Sequence, residues 1–260
     1  MEKLRVAALS SGSAGNCFYV GNDKESVLID AGISTKRIIE RMEMLGLDVT
    51  KVKGIFITHE HTDHIKGTDV FARKFNVPVY ATKGTIDGGG ICSEEKFVNS
   101  FKSGEKFKIG GLGVESFSKS HKAADPVSYS VLGKNGKNVS IITDLGFACE
   151  NVNNAIGESD FLFLESNHDI EMLENGPYPY FLKKWIRSDI GHLSNRQASL
   201  AVLEYSSKKL KNVVLSHLSE HNNSPEVALK TFNDLMKERK GFDSDVSVSL
   251  KDGPTELFRV

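Results

Sequence analysis

His59-Glu60-His61-Thr62-Asp63-His64, reached from the apolar run Gly54-Ile55-Phe56-Ile57, packs four candidate metal ligands into six residues. Core packing gives no reason for so many imidazoles. An extended segment leaving a strand alternates its side chains. This predicts that His59, His61 and Asp63 converge on one side while His64 turns in from the next position. Such an arrangement suits two adjacent cations better than one. Imidazole with carboxylate fits zinc, manganese or iron, whereas a thiolate site would need cysteines that the stretch lacks. The competing interpretation is a surface loop that happens to be rich in histidine.

Two cations need further donors, and the candidates lie at the ends of later predicted strands. His121 follows a strand over 113–119, Asp144 ends one over 139–143, and His217 comes just after 213–216. Strand ends hold side chains on a rigid scaffold, as metal geometry requires. Singly, each residue reads as a capping Asp or a surface His; beside the first stretch they read as one ligand set.

Around these positions, short apolar segments at 4–9, 17–20 and 26–29, separated by Gly, Ser, Asn and Asp, predict strands. Ser34 offers a cap to a helix in which Ile38, Ile39, Met42 and Leu45 recur before Gly46. Beyond the histidines, 65–75 reads as helix and 77–81 as extended, while the glycine-rich 83–93 fits either. Further strands are predicted over 106–109, 127–132, 138–142, 160–165, 213–215 and 245–250. Helices start at Ser194 and at Ser224-Pro225-Glu226, where Ser caps and Pro suits the first turn. Strands followed by helices, twice over and without a Pro-rich or Ser-rich linker, predict a single domain over 1–260. Its class is α/β (α+β), a two-sheet sandwich covered by helices.

The chain of 260 residues is 39% hydrophobic and 26% charged, a balance that argues against disorder. A formal net charge of -1 gives no global pull on polyanions, so any nucleic acid must be held by local cations. Cys17, Cys92 and Cys149 are an odd number without metal spacing, and Met1-Glu2-Lys3-Leu4-Arg5 leads into no signal-peptide core. The expectation is a reducing cytoplasm. No apolar run approaches the roughly twenty residues of a membrane span, so a soluble protein is expected.

His59, His61, Asp63 and His64 form the pattern His-x-His-x-Asp-His, by which the chain resembles the metallo-β-lactamase superfamily. The resemblance implies a four-layer αββα sandwich of two mixed sheets flanked by helices. It also implies His59, His61 and His121 on one metal, Asp63, His64 and His217 on a second, and Asp144 bridging both. True lactamases would call for a Cys in the second site, and none of the three fits. Ser10-Ser11-Gly12-Ser13-Ala14-Gly15-Asn16, Glu165-Ser166-Asn167-His168-Asp169, Gly191-His192-Leu193-Ser194-Asn195 and Leu215-Ser216-His217-Leu218-Ser219 narrow the likeness to the YycJ (WalJ) family, nearly end to end. That family implies metal-dependent 5′-to-3′ exonuclease activity on double-stranded DNA and a link to a cell-wall two-component system. One departure is visible. Related proteins usually carry Asp-Ala after the ligand His, whereas Lys122-Ala123 stands here, with Asp125 close by.

Two cations about 4 Å apart would hold a bridging hydroxide, lower its pKa and stabilise a pentavalent phosphorus. Asp63 is then a catalytic residue as well as a ligand, since a carboxylate beside that hydroxide can orient it and take its proton. His192 completes neither metal set; it resembles the non-ligand histidine of RNase Z-like phosphodiesterases and is expected to donate a proton, the other choice being a supporting or cap-region histidine. For substrate binding, Ser11, Ser13 and Asn16 lie on a glycine-containing turn that could receive a phosphate or be a plain turn. His168 could touch substrate or orient a ligand. Lys183 and Lys184 stand in Tyr180-Phe181-Leu182-Lys183-Lys184-Trp185-Ile186-Arg187, where cations reach phosphates and Trp185 either stacks on a base or packs inward. Glu60 is expected to face solvent, and His221 to be a surface residue. The leading expectation is a dinuclear phosphodiesterase acting on DNA. A hydrolase of small cyclic phosphodiesters or thioesters would share the ligands, because the metals specify the activated water and not the electrophile. A non-catalytic regulatory metal-binding protein is the choice from outside the enzymes.

Overall fold

A computed structural model describes residues 3–260, which divide into two compact units. The first comprises residues up to 118, 123–137 and 250–260; the second comprises 119–122 and 138–249.

The first unit is built on a seven-stranded sheet. Its strands are β1 (Arg5–Ser10), β2 (Cys17–Gly21), β3 (Ser26–Ile29), β4 (Val52–Phe56), β5 (Val79–Thr82), β6 (Val98–Phe101) and the C-terminal Phe258–Arg259. Pairing is antiparallel from the C-terminal strand through β1 and β2 to β3, then parallel from β3 through β4 and β5 to β6. Nearly every residue of β1, β2 and β3 is buried, as expected of strands covered on both faces. α1 (Thr35–Met44) is capped by Ser34, which accepts from the Arg37 N–H, and it buries Ile38 and Met42. From the same helix Arg41 reaches the carbonyls of Leu9 and Lys251, both at 2.7 Å, and ties β1 to the C-terminal segment.

The helix predicted over 65–75 is divided. α2 (Thr62–Ile65) and α3 (Thr68–Phe75) are separated at Lys66-Gly67. Gly67 donates its N–H to the Ala31 carbonyl at 2.7 Å, and a Cβ on it would lie 2.1 Å from the Ile33 carbonyl oxygen. The close backbone approach breaks the helix, and only glycine permits it. The ambiguous glycine-rich piece begins as α4 (Lys83–Gly88) and continues without regular structure to Ser93. β7 (Lys106–Ile109), β8 (Leu112–Ser118) and β9 (Val127–Leu132) form an antiparallel meander, its first turn made by Gly110-Gly111 with Gly110 at φ 58°.

In the second unit β10 (Asn138–Ile142), β11 (Phe161–Glu165), β12 (Asn212–Ser216) and β13 (Asp245–Val248) run parallel in that order. The crossovers carry α5 (Glu150–Glu158), α6 (Ile170–Asn175), α7 (Tyr180–Ile186), α8 (Asn195–Tyr205) and α9 (Pro225–Met236). β11 is buried at all five positions, which suits a strand inside a parallel sheet. Ser194 and Gln197 make a reciprocal capping box on α8, and Ser224 caps α9 with Pro225 in its first turn, as the sequence predicts.

Within each unit the parallel strands point their C-terminal ends one way, and chemistry-bearing residues lie at those ends. Asp30, Asp144 and His217 come directly after β3, after Thr143 beyond β10, and after β12 respectively. All three adopt left-handed backbone, at φ 60°, 60° and 57°. Asp and His tolerate that region better than most residues.

Candidate metal centre and its supporting residues

In the first unit the chain is extended only as far as His61, which sits at the N-cap of α2. Asp63 and His64 therefore lie in a helical turn rather than continuing an alternating strand, contrary to the simple extended reading. His59 Nε2 and His61 Nδ1 are 3.0 Å apart. His64 is fully buried; its Nδ1 donates to Asp30 Oδ2 at 2.7 Å, which directs Nε2 toward Asp63 Oδ2 at 3.4 Å. Asp30 also accepts the N–H and hydroxyl of Thr58, at 2.8 and 2.9 Å. Sequence reasoning missed Asp30, although an acid ending a buried strand is the same signal that singles out Asp144.

The glycine-containing turn after β1 supports this cluster. Asn16 is 0% exposed, and its amide nitrogen lies 3.3 Å from Asp63 Oδ2 and 3.2 Å from His64 Nε2. Its carbonyl side accepts the Gly12 N–H at 3.0 Å. Ser11 is buried as well, and Ser13 is exposed. Glu60 does not simply face solvent: its Oε1 accepts the Ala124 N–H at 2.9 Å, and its stem lies under Gly88 and Gly89. Asp125 joins the same region through its carbonyl, which accepts the hydroxyls of Thr82 and Thr85.

In the second unit His121, Asp144, His192 and His217 gather around Glu165. Glu165 is fully buried at the end of β11 and accepts four hydrogen bonds. His192 Nδ1 and His217 Nδ1 reach Oε1 at 2.8 and 3.0 Å, and the N–H groups of Leu145 and Leu193 reach Oε2 at 2.7 and 3.1 Å. Burial alone would raise its pKa. The charges and hydrogen bonds of His192 and His217 outweigh burial and hold the carboxyl below the usual carboxylate range.

An ionised carboxylate only accepts, so His217 carries a proton on Nδ1, and its neutral form keeps the lone pair on Nε2. That Nε2 is 3.5 Å from Asp144 Oδ1. His121 repeats the arrangement, its Nδ1 donating to the Gly191 carbonyl at 3.1 Å and its Nε2 standing 3.9 Å from the same Asp144 oxygen. Burial, with Lys119 and His192 adding, pushes the His121 pKa down to about 3 despite Asp144, so the ring is neutral near pH 7. Lone pairs aimed at a carboxylate, each ring locked through its other nitrogen, are the donor arrangement of a divalent cation site. The residues present fit zinc, manganese or iron; no thiolate joins them.

His192 is partly exposed, with the Trp185 ring standing 5.5 Å away at 89°. Trp185 therefore packs inward against His192. His168 is 2% exposed, and burial lowers its pKa to about 4. Its backbone bridges to Ser194, beside the α8 cap. Lys183 is engaged with the Glu174 carbonyl at 2.7 Å, Lys184 is exposed, and His221 is exposed as expected.

The profile of the beta-lactamase superfamily domain matches residues 25–218. The chain is 40% identical over 244 residues to exodeoxyribonuclease YycJ of Bacillus anthracis, covering 92% of this chain and 91% of that protein. The chain belongs to the metallo-β-lactamase superfamily, in its YycJ/WalJ family. Exodeoxyribonuclease WalJ of Streptococcus pneumoniae is 34% identical over 253 residues, 94% of this chain and 93% of that one. Among solved structures, the metallo-β-lactamase-fold protein YhfI of Bacillus subtilis superposes with a TM-score of 0.75 over 100% of both chains at 14% identity, a likeness of fold alone. The fold is therefore the expected α/β one, two mixed sheets flanked by helices. Membership makes this YycJ/WalJ-family protein a metal-dependent hydrolase. Among the described residues, no helix is long and apolar enough to cross a membrane.

Proposed function

We propose that this hydrolase is a dinuclear phosphodiesterase and a 5′-to-3′ exonuclease on double-stranded DNA. The two units are read as halves of one domain over 1–260. His59, His61 and His121 would hold one divalent cation and Asp63, His64 and His217 the other, with Asp144 contributing to both. Bound there, the cations supply Lewis acidity and a water of lowered pKa. Asp63 orients the attacking water and accepts its proton.

The observation that carries the choice of a phosphodiester is the Glu165–His192 pair at 2.8 Å. Glu165 fixes the ring through Nδ1, which leaves Nε2 of the partly exposed His192 as the working atom. An alkoxide leaving a phosphodiester needs a proton as the bond breaks, and in this reading His192 gives it from Nε2. A thiolate leaving a thioester has far less need of one. The two relatives named exodeoxyribonucleases, alike over nearly their whole length, support DNA as substrate. A cytoplasmic location and the link to a cell-wall two-component system belong to the same proposal.

The test is incubation with end-labelled single-stranded and duplex DNA and RNA under Mn²⁺ or Zn²⁺, alongside a nitrophenyl phosphodiester and a lactoyl thioester. Duplex DNA shortened stepwise from its 5′ ends is expected. Turnover of the thioester without cleavage of any nucleic acid would overturn the assignment.

A further inference from the structure

α7 has two unlike faces. Ile186 is buried and Trp185 half-buried, whereas Tyr180, Phe181, Lys184 and Arg187 face outward. Tyr180 is 75% and Phe181 74% exposed, whereas of the chain's other aromatics only Phe147 and Tyr205 are exposed, at 43% and 39%.

The helix itself is well anchored. Arg187 pairs with Glu174, the Lys183 ammonium holds the Glu174 carbonyl, and the inner Trp185 ring packs on His192. The rings are thus displayed on a fixed element whose inner face touches the proposed proton donor. A helical rise of about 1.5 Å per residue sets Tyr180 about 7.5 Å along the axis from Trp185. That is roughly two base-stacking steps of about 3.4 Å.

We infer that Tyr180 and Phe181 form a stacking platform for bases of the DNA strand leading to His192, with Lys184 on a neighbouring phosphate. The inference rests on the nuclease assignment above and names the element that grips the polymer. Charge selects the occupant. Lys184 lies one turn from Tyr180 on the same face, so flat rings and a cation are offered together, which suits a polyanion carrying π faces. A second copy docking by the same face about a two-fold axis would oppose cation to cation.

The test uses metal-loaded protein and phosphorothioate-terminated DNA, so that binding is read without cleavage. The double variant Tyr180→Ala/Phe181→Ala should raise the Kd about tenfold, while Tyr180→Phe/Phe181→Tyr, which keeps both rings, should stay within about twofold. Abasic residues at the second and third nucleotides should weaken wild-type binding by a similar factor and leave the alanine variant no weaker than before. Turnover of the small nitrophenyl phosphodiester should be equal in all three proteins, which also checks that they fold. An unchanged Kd in the alanine variant overturns the inference while leaving the nuclease assignment intact. So does a fully additive abasic penalty, or a wild-type dimer that the variant loses. Wild-type protein that hydrolyses the nitrophenyl ester but neither binds nor cuts DNA removes the nuclease assignment itself.

Discussion

Replacing Glu165 by Gln keeps the size of the side chain and reverses half of its hydrogen bonding. The carboxylate meets two imidazole N–H groups on one oxygen and two backbone N–H groups on the other. A carboxamide has one accepting end. If its oxygen serves Leu145 and Leu193, its NH₂ confronts His192 and His217; the reverse orientation opposes it to the backbone. The backbone cannot change its protons, but the rings can. The cheaper outcome moves the His217 proton to Nε2, the atom that stands 3.5 Å from Asp144 Oδ1, and removes its lone pair from the proposed metal. Hydrogen bonds to a charged acceptor contribute about 1.5–3 kcal/mol each, and losing such a partner behind a ligand histidine typically costs about 10–100-fold in metal affinity or activity. We expect Glu165→Gln to bind the His217-side cation about 100-fold more weakly and to lower the stability of metal-free protein by about 3 kcal/mol. Metal content after dialysis against graded chelator, with urea unfolding of the stripped protein, reads both. Stoichiometric metal held within about threefold of wild-type affinity, with normal turnover, would refute the tautomer reasoning.

His61→Ala should lose one cation and almost all hydrolysis with far-UV circular dichroism unchanged; wild-type nuclease rate in rigorously purified variant would end the catalytic assignment. His192→Ala should keep its metal content and slow phosphodiester turnover by about 10²–10⁴-fold, with the smallest loss on substrates whose leaving group is most acidic; equal loss across leaving groups would reduce His192 to a packing residue. His168 is held neutral by burial, its folded pKa of about 4 lying below the unfolded value near 6.5. The unfolded chain therefore binds the extra proton, and the contribution of this group is complete above about pH 6.5 and is lost as pH falls toward 4. His168→Gln should flatten the urea midpoint against pH across that window, and an unchanged profile would contradict the assignment.

Both unit cores and most helix boundaries were legible because they depend on local chemistry. Ser34, Ser194 and Ser224 announce helix starts through caps within three residues, and buried parallel strands such as Phe161–Glu165 appear as short apolar runs. The break at Gly67 was not legible, since it depends on the carbonyls of Ala31 and Ile33 passing too close for a side chain. Nor was the inward turn of Asn16, which pattern alone leaves free to serve as a phosphate turn.

By itself, the sequence determined what the donors are. Imidazoles and carboxylates at strand ends fix the class of cation, because ligand hardness belongs to the residue type and needs no fold to define it. Tertiary structure decided which nitrogen of each imidazole is available and which acid stands behind it. Asp30 reaches His64 across 34 positions, and Glu165 reaches His192 and His217 across 27 and 52. Hydrogen-bond partners that far apart are chosen by how strands lie side by side, and a tautomer follows from its partner.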